Sequence, residues 1–382
     1  MSTKTKVSHV SSLDTTSTER HIYTHIEEDI QNLALQGDLA THIEDTKILI
    51  NKLRDAGESN IFKHSGAKPE QKLHLILLAM LEFVPDEHAQ KADDSPSQGS
   101  EHRKVLIEHL RTVAITWLTN FLFIFKASSK AYASQSESIS HTPSDITTPT
   151  MESTENVGPI TTLCRDNLTC VITGARDREH PVPGLVSLQA CQILKRAAAK
   201  YTSKTTESKL ESVIGTFDIL PKFTRLPDRF ITQPKDWVGH PSNLISLMSI
   251  THDLFDHFDI CFEKTDDGNH RYKIEYFGRE DVASLLAFQQ AVGGRGRDDL
   301  VVLTNNSPNR SHSNDKMPDL MLFKIHAAIA GILHMSGAGK FCDELLQRYP
   351  PTGSSAPAVT WLEMERQIYM ILLLGCGRCE YR

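Results

Sequence analysis

From Ala127 to Gly158 the chain holds Ser, Thr and Pro with almost no large apolar side chains, and this stretch separates two hydrophobic periodicities that belong to different kinds of structure. A segment so poor in apolar surface cannot offset the entropy of ordering itself, so it reads as a linker. Before it, apolar residues recur at helical spacing. Ile22, Ile26, Ile30 and Leu33 form one stripe, broken at Gly37, and Leu39, Ile43 and Ile48 to Leu53 form a second. Leu73 to Val84 form a third that Pro85 stops, and Val105 to Lys126 resume after the polar loop Asp86 to Arg103. Beyond the linker the runs become short and of β type: Cys170 to Thr173, Leu185 to Ala190, and Leu244 to Leu247. Asp259 to Glu263 and Tyr272 to Tyr276 flank the turn-rich Thr265-Asp266-Asp267-Gly268-Asn269 and read as a hairpin. Helix returns at Val282 to Val292, Pro318 to Met335 and Thr360 to Leu374, with a polar loop from Gly293 to Lys316. The expected fold class is α+β, a small core with β-hairpins flanked by N-terminal and C-terminal helical regions.

The 382 residues, 39% of them hydrophobic, suffice for two or three domains with real cores. A formal charge of -7 argues against a protein that coats nucleic acid non-specifically, because phosphate binding runs on Lys and Arg. A local cationic group, Lys195, Arg196, Lys200, Lys204 and Lys209, follows the Leu185 to Ala190 run. It suits either a phosphate backbone or a solvated helix face. Seven cysteines form no regular framework, which points to reduced thiols and an intracellular protein. The first twenty residues lack the apolar centre of a secretory signal. Val113 to Phe125, the most apolar segment, contains Thr116, Thr119 and Asn120 and is too short to span a bilayer, so no membrane partner is expected. Cys376 and Cys379 make a lone CxxC without a second ligand pair and read as two free thiols. Gly293-Gly294-Arg295-Gly296-Arg297 lacks the residue order of a phosphate loop.

The chemistry lies in Pro241-Ser242-Asn243-Leu244-Ile245-Ser246-Leu247 and the following Thr251-His252-Asp253-Leu254-Phe255-Asp256. His252 and Asp256 stand at i and i+4, so on a helix an imidazole nitrogen and a carboxylate oxygen leave the same face and can meet one cation. The same pair also occurs as a cap or ion pair, and an Asn before a strand is often a turn residue. With Cys170-Val171-Ile172-Thr173-Gly174 and Leu188-Gln189-Ala190-Cys191-Gln192-Ile193-Leu194 in order upstream, the stretch resembles the HNH nuclease domain, in the form common in fungal proteins. The resemblance implies a ββα-metal core, with strands at Leu188 to Gln192 and Asn243 to Leu247 and a helix from Thr251 to Phe258. It implies a catalytic role for Asn243, which would hold the motif loop, and metal binding by His252 and Asp256, with Cys191 as a further ligand position. Gln192 stands where the family has its general-base histidine, and an amide has no usable basicity. Lys195, Arg196 and Lys200 would then meet nucleic acid, DNA ahead of RNA, and the cofactor would be a divalent metal, Mg, Mn or Zn.

The expected organisation is a disordered head (1–17), a helical region (18–126), a linker (127–158), the HNH nuclease-like domain (159–280) with an insert at 193–237, and a C-terminal helical region (281–382). Three functions compete. One is a metal-dependent endonuclease that hydrolyses phosphodiesters, weakened by the loss of its base; the second is a pseudo-enzyme that binds nucleic acid or protein; the third is an interaction protein that works through its helical flanks, with the HNH-like fold as a spacer. His180, His240 and His257 are substitute bases by proximity in sequence alone. His252 and Asp256 are expected to point at Asn243 and Gln192.

Overall fold

The computed structural model describes residues 39–63, 69–83, 99–127, 157–182, 184, 186–195, 219–220, 223–224, 226, 237, 239–265, 270–277, 280–292, 300–306, 317–349 and 360–376. The head, the Ile22 to Leu33 stripe, most of the insert, Arg196, Lys200, Cys379 and residues 128–156 lie outside them. The architecture is mixed α+β. Helices α1 (Leu39–Arg54) and α2 (Leu73–Glu82) flank a minimal antiparallel pair, β1 (Ile61–Phe62) with β2 (Gln71–Lys72). Helix α3 (Gly99–Trp117) runs on through a π turn, Leu118–Leu122, as far as Ala127. Trp117, Phe121 and Phe125, four residues apart, pack ring on ring along it, the first pair tilted at 5.1 Å and the second edge to face at 5.0 Å. Lys104–Ala127 is long and apolar enough to cross a bilayer, so the expectation that this segment is too short fails. Its apolar window is 67% buried inside the protein, which identifies it as a core helix.

The described residues extend into both ends of the stretch that reads as a linker. Ala127 is buried at the end of the α3 segment, and Val157–Arg165 forms helix α4. Gly158 is required there, since a Cβ would collide with the Gly239 carbonyl oxygen. Strand β3 (Leu188–Gln192) pairs antiparallel with β4 (Leu244–Met248), in register from Leu188 opposite Met248 to Gln192 opposite Leu244. For β3 this is the strand range that the family resemblance implies, whereas the composition-based run Leu185 to Ala190 starts three residues too early. Cys170 to Thr173 is not a strand: the Cys170 N–H donates to Ala175 O, and Gly174 closes the turn at φ 76° by donating back to Cys170 O. Its apolar side chains are buried from a turn, so a short apolar run misled the β reading.

Helix α5 (Ser249–Asp256) follows β4 directly. A second antiparallel sheet holds β5 (Ile260–Lys264), β6 (Arg271–Tyr276) and β7 (Leu300–Val302) in that order. The hairpin is where the sequence puts it, whereas β7 arises inside the supposed polar loop and is too short to show alternation. Helix α6 (Glu280–Val292) precedes β7. Helix α7 (Leu320–Met335), capped by Asp319 accepting from Met321 N, is buried along most of its length and packs on β5 and β6 through Phe323, whose ring lies 4.9 Å from Phe262 and 4.8 Å from Tyr272. Helix α8 (Ala338–Arg348) was not anticipated, and α9 (Trp361–Cys376) was. Buried apolar residues from Ile50 in α1 to Ile368 in α9 form one continuous cluster. The helical flanks and the sheets therefore share a core.

Candidate metal centre

Arg165 and Asp166 set the strand that leads into the site. Arg165, fully buried, donates to both Asp166 carboxylate oxygens at 2.7 and 2.9 Å and to the carbonyls of Pro241 and Leu244, each at 2.8 Å. Asp166 Oδ2 in turn accepts from Ser246 N at 2.9 Å. One ion pair thus ties the end of α4 to the beginning and middle of β4. Asn243, just before β4, is equally buried. Its side chain accepts from Leu194 N at 2.8 Å and donates to Leu194 O at 2.9 Å, which continues the β3–β4 pairing by an amide after the strand register ends at Gln192.

Side chains alternate across the two-stranded sheet. Ser246 Oγ reaches Thr162 O in α4 at 3.4 Å, and Leu244 lies against Gly158, so the face shared by Ala190, Gln192, Leu244 and Ser246 meets α4. The other face, with Gln189 and Cys191, meets α5. There His252 Nδ1 donates to Gln189 Oε1 at 2.7 Å, His252 Nε2 lies 3.6 Å from Asp256 Oδ1, and Cys191 Sγ lies 3.6 Å from the same oxygen. One donor atom each from Cys191, His252 and Asp256 falls within 4.8 Å of the others. His252 and Asp256 therefore share a helix face, but they are directed at Gln189 and Cys191; Gln192 is on the α4 face, and Asn243 engages Leu194.

Lys195 does not present its charge to solvent. Its Nζ is buried, donates to Asp256 O at 2.7 Å, pairs with Asp256 Oδ2 at 3.2 Å and lies 5.7 Å from the Phe258 ring centre. As a phosphate-facing residue it is thus a correction: the helix carrying Asp256 has drawn it inward. Burial, opposed by the Asp256 charge, lowers its pKa. Burial first and the Asp256 charge second push the Cys191 thiol well up. None of the substitute bases is directed at the cluster by its hydrogen bonds. His180 Nδ1 accepts from Val182 N, His240 Nδ1 accepts from Ser242, and His257 Nδ1 donates to Asp253 O.

Two parts of the site went unforeseen. Gln189 carries no motif signal, although its two-residue spacing from Cys191 on a strand was available. The second part is a set of donors at the C-terminal end of α5, where helices leave carbonyls unsatisfied. Phe255 O accepts from His326 Nε2, Asp256 O from Lys195, His257 O from Lys126, and Phe258 O from His334 Nε2, at 2.7 to 3.1 Å. His326 stacks on the Phe255 ring at 3.8 Å, and burial drives its pKa down to about 3.

The donor set fits a divalent cation. Because Gln189 Oε1 can only accept, Nδ1 of His252 holds the proton and Nε2 keeps its lone pair toward Cys191 and Asp256. Side-chain exposures of 26% for His252 and 16% for Asp256 leave the cluster open to solvent on one side. Residues 170–263 match the family model described as HNH endonuclease. Comparison with curated proteins and with solved structures finds no match. The matched segment contains the cluster, both of its strands and α5, and the chain accordingly carries an HNH domain, one whose family implies nuclease-like function and nucleic-acid binding in general.

Proposed function

We propose that the protein is a metal-dependent endonuclease of the ββα-metal type with a weakened active site. The observation that carries this reading is the convergence of Cys191, His252 and Asp256 inside the HNH match. A divalent cation held there would neutralise charge developing on a phosphodiester and favour attack by water. The chain's own residues supply the rest. Gln189 orients the His252 ring, Lys195 holds the second oxygen and the carbonyl of Asp256, and Asn243 fixes the turn after β3. Gln192, which stands in sequence where the family has its base histidine, cannot take a proton from water and faces α4 and not the cluster, so that base is missing, and general-base assistance is typically worth about a hundred- to ten-thousand-fold. Hydrolysis is therefore slow but not abolished.

A plasmid-nicking assay with Mg²⁺, Mn²⁺ or Zn²⁺ tests it. Weak cutting is expected from the unmodified chain, none from His252→Ala, and no rise from Gln192→His, whose side chain stands on the α4 face. A rise of about tenfold or more with Gln192→His would show instead that the end of β3 turns this side chain toward the cluster and supplies a base. If neither cuts but both bind nucleic acid with salt-sensitive affinity, the protein is a pseudo-nuclease binding module.

A further inference from the structure

We propose that the cluster is built for a borderline-soft, four-coordinate cation of the zinc class and discriminates against magnesium. The inference rests on the metal-site reading above and concerns only which cation the donors select. Cys191 offers sulfur, His252 nitrogen and Asp256 one oxygen, the mixed set that suits zinc, with three protein ligands and one position left for water or substrate. Magnesium needs near-octahedral oxygen donors and gains little from a thiolate.

Spacing agrees with chemistry. Asp256 Oδ1 lies 3.6 Å from both His252 Nε2 and Cys191 Sγ. Ligands on a tetrahedral ion with bonds of roughly 2.0–2.3 Å stand about 3.5 Å apart. Adjacent ligands on an octahedral ion with bonds of roughly 2.1 Å stand about 3.0 Å apart.

The surrounding residues narrow the choice further. Lys195 occupies Asp256 Oδ2, so the carboxylate has one oxygen to give and cannot chelate with both. Gln189 fixes the His252 tautomer with Nε2 as the ligand atom, which makes it a positioning residue. Cys191 is 1% exposed and forms the floor, with His252 and Asp256 at the open side. Loading exchanges the thiol proton for the cation, so one proton passes to solvent for each cation bound by sulfur.

The test uses the full chain, reduced and stripped with chelator, titrated with Co²⁺ as the spectroscopic probe and then challenged with Zn²⁺ or Mg²⁺. Expected are the intense visible bands of four-coordinate cobalt and a near-ultraviolet thiolate-to-cobalt charge-transfer band. Zn²⁺ should bleach both, and Mg²⁺ in large excess should leave them unchanged. Cys191→Ser should remove the charge-transfer band and weaken Zn²⁺ binding by about a hundredfold or more, while Cys164→Ser, at an exposed thiol, should change neither. Gln189→Met should keep the band and weaken Zn²⁺ binding by about ten- to a hundredfold. Circular dichroism identifies any variant that fails to fold, and the spectrum of the unmodified chain decides without one. Cobalt bound with no charge-transfer band, or displaced by Mg²⁺, overturns the proposal and leaves the metal site of the proposed function standing. If the folded chain binds none of the three cations, both readings fall.

Discussion

Arg165 has no exposed surface and holds four acceptors: the two oxygens of Asp166 and the carbonyls of Pro241 and Leu244. Removing it leaves the buried Asp166 carboxylate without its counter-charge and takes one donor from each of the Pro241 and Leu244 carbonyls, and breaking a buried pair in this way costs about 3–5 kcal/mol. Arg165→Met should therefore lower the unfolding free energy by that amount, read as a lower urea midpoint at an unchanged m value. Arg165→Lys should fail to restore it, because an ammonium cannot reproduce the planar fork. At this scale the sequence was most legible where spacing encodes geometry. His252 and Asp256 share a face because i and i+4 must, and Cys191 was visible as the neighbour of a motif position. Arg165 and Gln189 were not visible, since both act through a partner distant in sequence and no local pattern marks an arginine or glutamine as an orienting group.

Helix α5 has only eight residues, too few to be stable by itself, and it carries two of the three candidate ligands. Side chains from elsewhere complete its C-terminal end, where cations and donors are favourable. Lys126, 5% exposed, reaches His257 O from the end of the α3 segment and pairs with Asp343 of α8 at 3.2 Å. Lys126→Met should destabilise the protein by about 1–3 kcal/mol, since it leaves a carbonyl at the helix end without its donor. Chemical denaturation followed by circular dichroism would measure it, and an unchanged midpoint would remove Lys126 from the cap. Elements with long periodic runs, such as α2, α3 and α7, and the β5–β6 hairpin were readable beforehand. Strand β7 has three residues and takes its identity from pairing with Arg271 to Lys273. The Cys170 to Thr173 turn has the composition of a strand and a conformation set by Gly174.

Across the whole molecule the histidines carry a pH dependence whose sign follows from burial. His326 is held neutral in the core, with its pKa lowered to about 3 from 6.5 chiefly by desolvation. Between those values the unfolded chain takes a proton that the folded one refuses, so this contribution is complete above about pH 6.5 and is lost as pH falls toward 3. At pH 5 the loss from His326 alone is about 2 kcal/mol. His74, His270 and His334, also lowered by burial, act in the same direction, while Asp259, raised by burial, opposes them at the acid end of the window. Urea midpoints from pH 7.5 to 5 should fall steadily in the unmodified chain and less steeply in His326→Phe; parallel slopes would remove His326 as the cause. The core that joins the helical segments to the sheets was not legible, because contacts between distant segments leave no trace in either segment's pattern. The cap on α5 gives that common core a consequence for modularity. Of its four donors only Lys195 lies within residues 170–263, while Lys126, His326 and His334 lie outside. A cassette cut at the limits of the family match would carry the ligands away from most of the groups that hold their helix, so the matched segment is smaller than the unit that keeps the site in shape.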